Sequence, residues 1–144
     1  MSHQFHLGNL VISARPGWLD ITHDIDAENV PFTLAMNDGV GALQFSAAAY
    51  KSGQKPVVTS ESLQKLVLDF ALSRELGKGF DALTSETPIL ICAQSYSPGT
   101  EFTRVWYCSN GQDVALVTYT CEKGLEEAEL PDCEKTVADL RFVR

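Results

Sequence analysis

The chain has 144 residues, 44% hydrophobic and 21% charged, with a formal net charge of −8 at pH 7. A chain of that length is expected to form one domain over residues 1–144, hiding roughly two-thirds of its extended surface on folding, and the composition excludes a disordered protein. Excess negative charge disfavours nucleic acid and anionic membranes as partners; no apolar run approaches the ~20 residues of a bilayer span, and the start MSHQFHLGNL is unlike a signal peptide, so the expected location is the cytoplasm.

Leu10 to Ala14 is a short β-type run, broken by Arg15-Pro16-Gly17, because proline gives no amide hydrogen and glycine permits a turn. Trp18 to Ile25 reads as a second strand. Period-two geometry puts Trp18, Asp20, Thr22 and Asp24 on one side and Leu19, Ile21, His23 and Ile25 on the other, with the latter side expected in the core. Asp26 to Asn29 is a polar connection. Phe32, Leu34 and Met36 then mark a third strand, Asn37-Asp38-Gly39 a turn, and Ala42 to Tyr50 a fourth strand. Three consecutive alanines in that strand suggest that a helix lies close over it.

Lys51 to Val58 is expected to be a loop leading to helix-start chemistry, with Thr59 or Ser60 as N-cap and Glu61 near the positive end of the helix dipole. The helix is expected to reach about Leu76, burying Leu63, Leu66, Val67 and Phe70 as one stripe and capped by Gly77. Lys78 to Pro88 reads as a loop, and Gly77-Lys78-Gly79 lacks the spacing of a phosphate-cradling motif. Ile89 to Tyr96 is the next strand, followed by a turn at Ser97-Pro98-Gly99.

Thr103 to Cys121 is the clearest structural signal: two β-prone segments flank Asn110-Gly111, a pair suited to a type I′ turn. A two-residue turn there would pair Tyr107 with Val114, Val105 with Leu116, Trp106 with Ala115 and Arg104 with Val117. Both faces are largely apolar, so these strands are expected at the centre of a sheet covered on both sides. An acidic stretch follows, then a second helix over Pro131 to Ala138 and an apolar ending, Leu140, Phe142 and Val143, suited to an edge strand or to packing beneath the sheet.

The resulting fold class is α+β, an α/β/α sandwich whose antiparallel sheet of six to seven strands is covered by helices. Pro16-Gly17-Trp18 with Asp20 and Thr22, the run Gly41 to Ser46, the helix from Glu61 and the ending Glu134 to Phe142 resemble the PsbP-like α/β sandwiches. That superfamily also includes a Ran-binding nuclear-import factor and families of small bacterial proteins. The resemblance implies a covered sheet used for binding other proteins and, among bacterial relatives, a similarity to toxin-immunity proteins and effector-associated chaperones.

Cys92, Cys108, Cys121 and Cys133 include no CxxC or CxxH pair, which argues against a zinc site and for reduced core thiols. His23, Asp24, Asp26 and Glu28 lack the glycine and the bidentate glutamate spacing of an EF-hand, so no metal or cofactor is expected. Of possible nucleophile pairs, Cys92 with His23 is the one left open by sequence, giving a small Cys- or His-dependent enzyme as one alternative function. Paired acids such as Asp132 and Glu134 read as charged surface. Arg104, alone on an apolar strand, calls for a carboxylate partner, and Trp18, Trp106 and Tyr50 read as core aromatics or the lining of a groove.

The leading reading is therefore a cytosolic, non-enzymatic protein-binding module, an immunity protein neutralising a basic toxin or secreted effector. Its proposed contact residues are Asp20, Asp24, Asp26, Glu28, Glu126, Glu127 and Glu129. A chaperone or adaptor holding an apolar segment is the other alternative.

Overall fold

The structure, a computed structural model describing residues 3–48 and 57–143, is built around the hairpin about Asn110 and Gly111. In chain order the strands are β1 (His3–Leu7), β2 (Leu10–Ala14), β3 (Trp18–Asp20), β4 (Phe32–Met36), β5 (Gly41–Ala48), β6 (Phe80–Ser85), β7 (Leu90–Tyr96), β8 (Glu101–Ser109), β9 (Val114–Glu122) and β10 (Arg141–Phe142). Helix α1 (Ser60–Ser73) follows β5, and helix α2 (Leu130–Ala138) follows β9. Seven strands form an antiparallel sheet in the order β3-β4-β5-β9-β8-β7-β6, and three form a smaller sheet, β1-β2-β10.

The central hairpin keeps its expected faces but not its expected partners. Tyr107 pairs with Leu116, Trp106 with Val117, Val105 with Thr118 and Arg104 with Tyr119. Each partner lies two residues further along β9, because the chain spends four residues, Asn110 to Asp113, on the bend. The Asn110 side-chain oxygen accepts from the backbone N–H groups of Gln112 and Asp113, at 3.0 and 2.8 Å, and so replaces a tight turn with an Asn-capped loop. A shift of two residues returns every side chain to its own face.

Those faces are covered differently. On one, α1 lays Leu63, Val67 and Ala71 over β7 and β8, against Cys92, Tyr96 and Val105. Thr59 caps the helix by accepting from Ser62 N–H at 3.2 Å while Ser62 Oγ accepts from Thr59 N–H at 2.9 Å. On the other face, α2 and the small sheet pack together. Leu10, Ile12 and Ala14 of β2 join Cys133, Val137, Trp18, Phe45, Trp106 and Tyr119 in one core. Each large side chain buried there contributes about 1.5–3 kcal/mol. The apolar ending completes this layer, with β10 pairing along β2 and Leu140 fully buried.

Several expectations are corrected. His3 to Leu7, ahead of the first strand expected from the sequence, is itself a strand paired with β2. The second strand stops at Asp20, with Thr22 to Asp24 forming one 3-10 turn, and its faces are reversed: Trp18 is 1% exposed whereas Leu19 is 51% exposed. Trp18 faces inward because α2 lies over that side. The helix ends at Ser73 rather than near Leu76, since Glu75 already takes the left-handed conformation directly after the cap residue Arg74 (φ +54), two residues ahead of Gly77. Leu76 N–H bonds to Ala71 O at 3.0 Å and Glu75 N–H to Leu72 O at 3.2 Å, the Schellman pattern. Leu66 is 36% exposed, and Ala71 completes the buried stripe instead.

Lys78 to Pro88, expected to be a loop, contains the edge strand β6. The alanine run does not mark the helix, which lies over β7 and β8; Ala47 is exposed. Tyr50, the end of the predicted fourth strand and most of the loop that follows it lie outside the described residues.

Candidate functional site

The acidic edge is built by β3, the outermost strand on its side of the sheet. Asp20 ends it: the Asp20 carboxylate accepts from Thr22 N–H at 3.0 Å and Thr22 Oγ1–H at 2.7 Å, while Thr22 Oγ1 accepts from Thr33 N–H at 2.9 Å. The Thr22 hydroxyl thereby relays between the acid and β4 and forces the turn. Its hydrogen bond, above all, holds the Asp20 carboxyl below the usual carboxylate range. Asp24, Asp26 and Glu28 follow in the connection that enters β4, all exposed. His23, expected in the core, is exposed beside them.

Glu126 and Glu127 belong to a different place. They follow β9, whose Cys121 pairs with Gly41 next to the β4–β5 turn, so they lie at the opposite end of β4 from Asp24 to Glu28. Glu126 also accepts from Gly124 N–H at 2.8 Å, closing its own turn. Glu129 is not available to a partner. It is 3% exposed, accepts from Tyr119 O–H at 2.8 Å and from Val40 N–H at 3.1 Å, and ties α2 to the β4–β5 turn. A buried carboxylate is tolerated there because both oxygens have donors.

Two other acids expected at the surface act as clamps on the core side. Asp132 accepts from Trp18 Nε1–H at 3.0 Å with Arg15 at 3.9 Å, and Glu134 accepts from Trp106 Nε1–H at 3.4 Å while pairing with Arg104. Each fixes α2 to a buried tryptophan. Trp18 and Trp106 are accordingly core residues, 1% and 0% exposed. Arg104, 5% exposed, also donates to Ser95 Oγ and to the Asp81 carbonyl, both at 2.8 Å, which accounts for the arginine as structural pairing.

Among the described residues no thiol is poised as a nucleophile. The four cysteines are free and buried, and burial foremost raises every one of their thiol pKa values, so the reactive thiolate is disfavoured. Cys92 lies on β7 and His23 just past β3, five strand spacings apart in the sheet, or roughly 24 Å. The Cys92–His23 pair is therefore excluded. Among the described residues no three His, Cys, Asp or Glu side chains converge in a way that could hold a metal ion.

Two hollows flank β6, at the opposite edge of the sheet from β3. A hollow of about 170 Å³ opens on the α1 face between Gln64, Val67 and Leu68 of the helix and Ala82 and Thr84 of the strand. Another of about 190 Å³ opens on the α2 face, lined by Leu83, Ile91, Trp106, Glu134 and Val137. Reading this stretch as a loop hid both. The signal in the sequence was Phe80 and Leu83, two large apolar residues in an otherwise polar run.

No protein-family model matches the sequence, and no curated protein matches it. Solved structures do. The yeast (Saccharomyces cerevisiae) Ran-binding protein Mog1p superposes with a TM-score of 0.64 at 10% identity, covering 99% of this chain and 96% of its own. A point mutant of Mog1 gives 0.64 at 9% identity with the same coverage. A protein from Bacteroides thetaiotaomicron VPI-5482 gives 0.61 at 12% identity over 94% of this chain, which spans only 46% of that protein.

At such identities the likeness establishes the fold, that shared by Mog1 and the PsbP-like proteins. The narrower similarity to bacterial immunity proteins and effector chaperones is corrected, since the structural neighbours include the Ran-binding protein Mog1p and its point mutant.

Proposed function

We propose that the chain is a non-enzymatic protein-binding module that meets a basic surface of its partner through the connection between β3 and β4. The carrying observation is one of charge: from Pro16 to Tyr50 the sequence has no Lys or Arg but has Asp20, Asp24, Asp26, Glu28 and Asp38. Asp24, Asp26 and Glu28 are exposed together on a segment anchored by the Asp20–Thr22–Thr33 relay. Glu126 and Glu127, at the other end of β4, would extend the contact only for a partner long enough to reach both ends. That a protein sharing the fold is a Ran-binding protein supports the binding reading, as does the buried, protonated state of the thiols.

Exposed ion pairs are individually worth about 0.2–1 kcal/mol, so such an edge acts more on encounter rate than on residence time. The test is quantitative capture of partners by the wild-type protein and by the triple variant Asp24→Lys, Asp26→Lys, Glu28→Lys, at low and high salt. The partner should be lost from the variant, with an association rate about tenfold lower at low salt. Capture that is equal for both proteins and indifferent to salt would overturn the reading.

A further inference from the structure

We infer that the β6 edge is a strand-addition site for an extended segment of a partner protein carrying two neighbouring apolar residues flanked by a Lys or Arg. This goes beyond the acidic β3 edge and lies across the sheet from it.

Strand β6 ends the seven-stranded sheet, and no strand pairs with its outer side among the described residues. Alternate residues of such an edge turn N–H and C=O groups outward, unsatisfied except by water. Large apolar side chains stand beside it: Leu83 is 40% exposed, Phe80 41% and Leu68 54%. The open length is limited. The ladder to β7 slips between Phe80 and Leu83, Asp81 has φ +52, and its carbonyl is turned inward to accept from Arg104. That leaves Leu83 to Ser85, paired regularly with β7 on their inner side.

The two hollows lie on opposite faces of that same segment. Thr84 pairs with Cys92 on the α1 face and Leu83 with Ala93 on the α2 face, and Leu83 borders both hollows. Successive side chains of an added strand point to opposite faces. Two consecutive apolar residues would therefore drop one side chain into each hollow, while the backbone completes the ladder.

Charge selects what lies next to them. The surface adjoining the Ser85 end of β6 is lined by Glu61 and Glu86 and by no Lys or Arg, whereas Glu134 in the α2-face hollow is already paired with Arg104. A basic residue on the incoming strand at that end meets those carboxylates. A second copy of this chain, at a net charge of −8, would add like charge beside these carboxylates.

The probes are end-blocked, fluorescently labelled hexapeptides of the form Lys-Thr-X-X-Thr-Lys, with X-X drawn from Val, Leu, Ile and Phe, and proline-interrupted versions that cannot join a ladder. Fluorescence anisotropy with the full chain should show saturable binding by at least one apolar pair and none by its proline version. Amide exchange should slow within Leu83 to Ser85.

Leu83→Lys and Leu68→Asp, both at exposed positions, should each weaken binding about tenfold or more. Glu86→Lys should weaken it mainly at low salt. The triple variant at Asp24, Asp26 and Glu28 should bind the peptides normally, which separates this site from the acidic edge. Absence of binding by every peptide, equal binding of the proline versions, or protection elsewhere in the chain would overturn the inference. So would sedimentation showing a dimer that Leu83→Lys dissociates, since the edge would then belong to a second copy.

Discussion

Replacing Glu129 tests whether a residue from the acidic stretch holds the fold or meets a partner. Its carboxylate is 3% exposed, accepting from Tyr119 O–H and Val40 N–H, and its backbone oxygen accepts from Cys133 N–H at 3.1 Å at the start of α2. In Glu129→Ala both side-chain bonds vanish, and the Tyr119 hydroxyl is left inside the protein without its acceptor. Hydrogen bonds to a charged group are each worth about 1.5–3 kcal/mol, so the loss should be about 3–5 kcal/mol. Against a total of about 5–15 kcal/mol, that is a third or more of the stability. The melting temperature should fall by about 10–15 °C for a domain of this size. Glu129→Gln keeps the shape and can still accept from Val40, so it should lose only about 1–2 kcal/mol, and Tyr119→Phe a similar amount. Urea titrations followed by tryptophan fluorescence give these values directly, because Trp18 and Trp106 are buried beside α2. If Glu129→Ala stays within about 1 kcal/mol of the parent yet impairs partner capture as the triple variant at Asp24, Asp26 and Glu28 is expected to, the buried role assigned here is refuted.

Other outcomes follow from the same structure. The thiols should resist a disulfide reagent at pH 8 in the native protein and all react in guanidinium; a rapid stoichiometric reaction of the native state would contradict the buried, protonated assignment. Because burial raises the four thiols and also Tyr96, Tyr107 and Tyr119, the unfolded chain releases protons first as pH climbs. The stability these groups contribute is full below about pH 8.5 and lost above it, so the urea midpoint should fall from pH 8 to pH 10, not rise. Glu75→Gly relieves a left-handed non-glycine residue at the end of α1 and should stabilise the protein by about 0.5–1 kcal/mol, read as a shift in the same midpoint; a loss would mean that the Glu75 side chain has an unrecognised role. Gly41→Ala would place a methyl 2.6 Å from Thr120 O and 2.8 Å from the Tyr119 ring, so β5 and β9 must separate; a cost of about 2 kcal/mol or more is expected by thermal melting, and a neutral result would refute that close approach.

Patterns that act over a few residues were legible in the sequence. The Asn110-Gly111 bend, the Thr59 cap, the hydrophobic stripe of α1 and the reduced cysteines depend on local chemistry, and so did the overall α/β sandwich. Even the hairpin faces survived a wrong turn length, because side-chain direction repeats every two residues. What the sequence did not carry was which neighbour each element would meet. Trp18 or Leu19 could have been the inner residue of β3 until α2 was seen to cover the Trp18 side. Lys78 to Pro88 looked like a loop because an edge strand, bonded on one side only, needs no continuous apolar run. Glu129, Asp132 and Glu134 read as part of a charged surface, since nothing nearby in the chain reveals that Tyr119, Trp18 and Trp106 wait with donors across the core. Composition and short-range pattern determined that this chain makes a covered, acidic sandwich; only tertiary contact decided which of its acids are structural and which edge stays open, because the fate of a charge depends on donors brought from far along the sequence.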